Sequence, residues 1–140
     1  MTTEERARKV FQQMYAQDYF SQWLGIELIE ADAGRSVLRL TVRREMLNGF
    51  GIAHGGITYS LADSALAFAS NSHGRKAVSI ETSISHLASL REGDVLTAYA
   101  EEESLGHKIA VYQVLIKNQT LQTVALFKGT VYRRSEKWAL

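Results

Sequence analysis

Residues Met46–Gly74 read MLNGFGIAHGGITYSLADSALAFASNSHG, and Asp63 is the only charged residue among them. Within this stretch, residues 55–72 predict a helix with apolar side chains around most of its circumference, which is typical of a buried helix. A carboxylate in such a helix is costly unless a partner compensates it, and no basic residue lies nearby in the sequence. Asp63 therefore either finds a distant partner or serves a site that requires a carboxylate.

The sequence on either side of this helix predicts the architecture. Residues 2–16 favour a short amphipathic helix with Thr3 as its cap, and residues 26–42 alternate with a period of two around a turn at 32–34, as in a hairpin. Four strand-like stretches follow the central helix, at 76–87, 95–104, 108–117 and 121–133. The order of hairpin, helix and antiparallel meander predicts an α+β fold in which a curved sheet wraps around one central helix.

The length of 140 residues and the absence of internal repeats predict a single domain over 1–140. Residues 1–24 form its N-terminal helical extension and residues 25–133 its core. One small sheet leaves strand edges open, so we expect a second copy of the chain to pair with it.

Composition excludes several functional classes. A net charge of +1 does not favour binding to nucleic acid, and the lack of cysteine removes disulfides, thiolate chemistry and sulfur-ligated metals. The histidines lack the spacing of metal ligands, so we expect no metal site. Residues 1–9 are charged and polar, unlike a signal peptide, and no apolar run is long enough to span a membrane. These features predict a cytoplasmic protein.

The loop that leads into the central helix has the residues of a reaction centre. Gly55 and Gly56 stand at the helix start, where backbone N–H groups lack internal partners and the helix dipole adds partial positive charge. Because Gly55 has no side chain, a ligand can approach its N–H closely. A donor in this position can stabilise a carbonyl oxygen that gains negative charge during a reaction.

Asp63 lies eight residues beyond Gly55, which corresponds to about 12 Å along a helix. The two groups therefore cannot touch one reacting carbon within the same subunit. If both serve one site, the chain must form a symmetric dimer with two shared sites.

The sequence resembles the hotdog-fold acyl-CoA thioesterases, most closely the PaaI type associated with phenylacetate degradation. The resemblance rests on the pattern N-x(5)-HGG-x(6)-D, from Asn48 to Asp63, and on L-x-x-G-D from Leu90 to Asp94. It covers about 25–133. It implies hydrolysis of (hydroxy)phenylacetyl-CoA or another short or medium acyl-CoA to free acid and CoA. No cofactor is expected, since CoA is part of the substrate, and the partner is a second copy of the chain in a homodimer or homotetramer.

The resemblance also implies residue roles. The Gly55 N–H would polarise the thioester carbonyl, and Asp63 of the opposite subunit would act as nucleophile or as base on a water molecule. Asn48 would orient that carboxylate or water, and His54, also expected in the reaction centre, would help set the loop and could contact the thioester. The remaining residues expected to contact substrate are Gly56, Tyr59 and Ser79, the last in the place of a strand serine that positions water in related enzymes.

Other interpretations remain open at the level of sequence. Asp63 could be a hydrogen-bonded structural carboxylate, the glycine pair an ordinary helix start, His54 a loop residue and Asn48 a turn former. A hotdog dehydratase or hydratase is a second enzymatic possibility, although the proline-containing loop expected of that class is missing from a chain without proline. A non-catalytic acyl-CoA-binding module is the third.

Overall fold

The computed structural model describes all 140 residues and confirms the α+β fold. A six-stranded antiparallel sheet packs against one long helix, α3, with further helices at the N-terminus. The elements are α1 (Thr3–Gln17), α2 (Tyr19–Leu24), β1 (Glu27–Asp32), β2 (Arg35–Thr41), a short 3-10 turn (Arg44–Met46), α3 (Gly55–Asn71), β3 (Arg75–His86), β4 (Val95–Leu105), β5 (Ile109–Lys117) and β6 (Thr123–Lys137). The predicted helices and strands are present, and the last strand runs four residues further than expected.

Helix α3 carries the core but is not enclosed on every side. Its buried side chains, which include Leu61 and Leu66, join the inward-facing residues of the strands in one apolar cluster. Asp63, Ser64 and Ala67 lie on a half-buried face of the same helix. The helix therefore positions Asp63 at the boundary between the core and an open surface. Neither α3 nor any other helix is long and apolar enough to cross a membrane.

The N-cap of the first helix lies one residue earlier than predicted. Thr2, not Thr3, is the N-cap: its side chain accepts a hydrogen bond from the Glu5 N–H at 3.0 Å, and the Glu5 carboxylate accepts from the Thr2 N–H at 3.3 Å. The reciprocal pair forms because Glu5 stands three residues after Thr2. Helix α2 is tied to α3 by a 2.8 Å hydrogen bond between the Ser21 and Ser64 hydroxyls.

The position of β3 corrects the expectation of a four-strand meander. The strand order is β1-β2-β4-β5-β6-β3, so β4, β5 and β6 form the meander and β3 pairs with β6 at the far edge. The connection 87–94 is too long for a hairpin turn. It passes across the end of the sheet, where the Ala53 N–H donates to the Leu90 carbonyl and the Gly93 N–H donates to the Val42 carbonyl.

As a result, β3 is an edge strand with one unpaired backbone side. Its side chains include two exposed apolar residues, Val78 at 50% and Ile80 at 58% of their full accessibility. Long, apolar strand edges commonly pair with another chain.

Candidate active site

The loop before α3 is folded by Asn48. Its side-chain Oδ1 accepts hydrogen bonds from the Phe50 N–H at 2.9 Å and the Ile52 N–H at 3.4 Å, and its own N–H donates to the Ile52 carbonyl at 2.8 Å. Asn48 thus forms the turn, as one of the sequence interpretations has it. Its Nδ2 donates to no acceptor within the chain, so the side chain keeps a free donor.

The start of α3 leaves the backbone N–H of Gly55 free. His54 is the N-cap, and its Nδ1 accepts a hydrogen bond from the Gly56 N–H at 2.8 Å. The His54 N–H donates to the Met46 carbonyl at 2.8 Å, which fixes the loop in place. Gly55, between them, has no acceptor for its N–H within the chain. The cap therefore satisfies Gly56 and leaves the Gly55 N–H available to a ligand.

The free Gly55 donor opens into a cavity of about 480 Å³. One wall comes from the loop and the first turn of α3, and the other from the end of β3 and the segment that follows it. The lining residues are Asn48, Ile52, Ala53, Gly55, Thr58, His86, Leu87, Ala88, Ser89 and Leu90. We call this space the Gly55 cavity.

Thr58 and His86 are residues of this cavity that the sequence reasoning did not identify. Thr58 lies three residues after Gly55, so helical spacing alone could have placed it on the same face. His86 reaches the cavity from β3, and its Nε2 lies 3.2 Å from the position that a Cβ on Gly55 would occupy. No local pattern in the sequence indicates that approach, because it depends on how β3 packs beside the helix.

Asp63 lines a different cavity, of about 260 Å³, together with Ser79. The other lining residues are Leu66, Ala67, Ser70, Ala77, Val78 and Val131. Burial raises the pKa of the Asp63 carboxyl above its usual range, and the nearby Asp18 carboxylate raises it further. Neither a cation nor a hydrogen-bond donor within the chain compensates the charge. We call this space the Asp63 cavity.

The structure thus brings the predicted site residues together in two groups. Asn48 and Gly55 share one cavity, and Asp63 and Ser79 share the other. His54, Gly56 and Tyr59 line neither. The Tyr59 hydroxyl is hydrogen-bonded to the Thr82 hydroxyl, and its ring packs edge-on against Phe127 with 5.6 Å between centroids.

The two cavities lie at opposite ends of β3. Ser79, near the start of the strand, borders the Asp63 cavity, and His86, the last residue of the strand, borders the Gly55 cavity. Seven residues separate them, which corresponds to about 23 Å of extended chain. A complete site with both the donor and the carboxylate is therefore absent from a single subunit.

The comparisons with known proteins identify the family of the chain. Residues 50–125 match the family model of the thioesterase superfamily. The chain is 43% identical to acyl-coenzyme A thioesterase PaaI of Escherichia coli, over 86% of each chain. It is 41% identical to a putative esterase of Archaeoglobus fulgidus, over 94% of this chain and 86% of the relative.

Solved structures show the same likeness. The E. coli PaaI protein from the phenylacetic acid degradation operon superposes with a TM-score of 0.95 at 39% identity, covering 97% of this chain and 99% of that one. A hypothetical thioesterase from Streptococcus pneumoniae with coenzyme A superposes with a TM-score of 0.78 at 28% identity, covering 81% and 88%. The chain therefore belongs to the thioesterase superfamily and has the hotdog fold of its PaaI-type members.

Proposed function

We propose that the protein hydrolyses the thioester of an acyl-CoA to a free acid and CoA. The observation that carries this proposal is the unsatisfied Gly55 N–H at the N-terminus of α3. Gly55 lines a cavity large enough for a ligand. The 43% identity to an enzyme named acyl-coenzyme A thioesterase PaaI supports it. Phenylacetyl-like and other short or medium acyl groups are the substrates that this likeness favours.

In the proposed reaction the thioester carbonyl oxygen accepts a hydrogen bond from the Gly55 N–H. Asn48 lines the same cavity, and its free Nδ2 would supply a second donor, either to that oxygen or to the attacking group. Removing one donor of this kind from an enzyme typically raises the barrier by about 2.7–4 kcal/mol. The pre-formed loop holds both donors in place before substrate arrives.

We propose that the carboxylate comes from a second subunit. If the unpaired edge of β3 pairs antiparallel with its own copy about a two-fold axis, the Ser79 end of one strand meets the His86 end of the other. The Asp63 cavity of one subunit then adjoins the Gly55 cavity of its partner. A dimer is thus the smallest active unit, and a tetramer can form from two such dimers.

Asp63 has two possible roles in this site. As a general base it takes a proton from water, and the resulting hydroxide adds to the carbonyl carbon. As a nucleophile it adds directly to form an anhydride, which water then hydrolyses. In both routes the C–S bond breaks, its electron pair leaves on sulfur, and the products are the carboxylic acid and the CoA thiol. The raised pKa makes Asp63 a stronger base than an ordinary aspartate.

The test is a thiol-release assay over a panel of acyl-CoAs, with Asp63→Asn beside the wild type. We expect release of CoA by the wild type and a loss of turnover of about a hundredfold or more in the variant, in line with the loss of a positioned acid–base group. Glu92→Gln makes the same chemical change at an exposed loop residue and should leave the rate unchanged. Near-normal turnover by Asp63→Asn, or no thiol release by the wild type, would contradict the proposal.

A further inference from the structure

The hydrogen bonds around Thr58 favour one tautomer of His86. The Thr58 hydroxyl donates to the Gly55 carbonyl at 3.0 Å, and it lies 3.1 Å from Nδ1 of His86. A hydroxyl has one proton, and the carbonyl can only accept. While that proton goes to the carbonyl, Thr58 accepts at the second contact, which in a neutral His86 ring puts the proton on Nδ1 and leaves Nε2 as an acceptor.

This acceptor lies beside the free backbone donor. Nε2 of His86 is 3.2 Å from the position of a Cβ built on Gly55. Such a Cβ would be about 2.5 Å from the amide nitrogen, so Nε2 lies within roughly 6 Å of the Gly55 N–H. The cavity thus offers one donor and one acceptor side by side, with a wall that continues along residues 87–90.

The thiol half of an acyl-CoA carries a matching donor. In the pantetheine arm, two methylene carbons separate the sulfur from an amide nitrogen. A substrate whose carbonyl oxygen is bound to Gly55 extends this arm away from the reacting carbon, which places the amide N–H within reach of a neighbouring acceptor. A simple alkyl thioester has no such donor.

We propose that Nε2 of His86 accepts a hydrogen bond from this amide N–H and so selects thioesters of pantetheine-type thiols. The proposal rests on the proposed function, because it assigns a substrate contact in the same cavity. His86 is then a specificity residue for the leaving group, and Thr58 a positioning residue that holds its ring. Nε2 could instead accept a hydrogen bond from the attacking water. The substrates of the test distinguish a bond to this water from a bond to the amide N–H.

The test uses two phenylacetyl thioesters that differ at one position. One has N-acetylcysteamine as its thiol, and the other has 2-mercaptoethyl acetate, in which an ester oxygen replaces the amide N–H. We expect the wild type to favour the amide by about two- to twelvefold in kcat/KM, mainly through KM, as for one neutral hydrogen bond. If the wild type hydrolyses both thioesters equally well, the proposal is wrong.

Two variants test whether Nε2 of His86 causes the preference for the amide thioester. His86→Asn keeps a donor at the place of Nδ1 and removes the acceptor, whereas His86→Gln carries an oxygen near the place of Nε2. We expect His86→Asn to lose the preference between the two thioesters and His86→Gln to retain part of it. Equal loss of rate on both substrates in His86→Asn, with the preference intact, would indicate a role toward water or toward the fold and would overturn the proposal.

The outcomes also separate this proposal from the proposed function. Hydrolysis of both thioesters without discrimination overturns only the role of His86, while the thioesterase proposal stands. A wild type that releases no thiol from these substrates or from any acyl-CoA overturns both. Thermal unfolding midpoints identify any variant that is merely unfolded. For such a variant, the preference of the wild type for the amide over the ester thioester decides whether the proposal stands.

Discussion

Gly55 and Asp63 stand on the same helix, yet they line different cavities at opposite ends of strand β3. Gly55 contributes an unsatisfied N–H and Asp63 a carboxylate without a partner. In a two-fold dimer, the Gly55 N–H of each subunit can combine with the Asp63 carboxylate of the other. Two complete sites would then form. The open edge of β3 offers the surface on which such a dimer can form.

The amount by which Asp63 lowers the free energy of unfolding should depend on pH. Because burial raises the pKa of its carboxyl in the folded chain, the folded state binds the proton more tightly than the unfolded state. The free energy of unfolding should then fall as pH rises from the ordinary aspartate pKa of about 3.9 through the higher folded value. Asp63→Asn removes this cost and should be more stable than the wild type at pH 7.

Urea unfolding of both proteins at pH 7 and at pH 3.5 measures this difference. The advantage of Asp63→Asn should be present at the higher pH and shrink toward zero at the lower one. Glu92→Gln, at an exposed position, should show no such dependence. A variant that is less stable than the wild type at pH 7 would show that the carboxylate has a stabilising partner after all.

A methyl group at Gly129, where β6 packs against α3, should destabilise the fold. A Cβ there would lie 2.5 Å from Cδ2 and 3.1 Å from Cδ1 of Leu66, so the helix or the leucine must move. Overpacking of this kind typically costs about 1–3 kcal/mol. Gly129→Ala should lower the free energy of unfolding by that amount, as measured by denaturant titration.

Gly49→Ala is the matched control for this change, since a Cβ at Gly49 meets nothing within 4 Å. It should unfold at the same denaturant concentration as the wild type. Equal midpoints for Gly129→Ala and Gly49→Ala would show that Leu66 relaxes without cost.

A charge on the open edge of β3 should separate the subunits. Ile80 is 58% exposed in the single chain, and lysine on an edge strand opposes pairing with another chain. Ile80→Lys should shift the mass in solution toward the monomer and abolish thiol release. Ile29→Lys places the same charge on β1, the opposite edge of the sheet, where Ile29 is 39% exposed, and should change neither. A fully active monomer of Ile80→Lys would refute the shared-site arrangement.

Local patterns in the sequence predicted most of the secondary structure. The change from a period of two to an apolar helix and back located the hairpin, α3 and the later strands, because each pattern reflects which faces of an element are buried. The glycine pair after His54 predicted the helix start and its available donor. The cap at Thr2 was missed by one residue, although the Glu5 that completes it is visible in the sequence.

Long-range features were beyond such patterns. The placement of β3 next to β6 depends on the path of residues 87–94 across the sheet, which periodicity does not reveal. His86 enters the cavity only through that placement, and its tautomer depends on Thr58, which lies 28 residues away in the chain. Apart from Ser79 on β3, which the family resemblance supplied, the site residues found from sequence were those on one continuous loop and helix.

If each site uses Gly55 of one subunit and Asp63 of the other, two inactive variants should complement each other in a mixed dimer. Gly55→Val adds a side chain next to Nε2 of His86 and should block the Gly55 cavity of its own subunit. Asp63→Asn removes the carboxylate of its own subunit. Each variant alone should be nearly inactive. After unfolding and refolding as an equal mixture, half of the dimers contain both variants, and each of these has one intact site. We expect recovery of about a quarter of the wild-type rate of thiol release. A mixture as inactive as its two parents, with mixed dimers verified, would rule out a site shared between subunits.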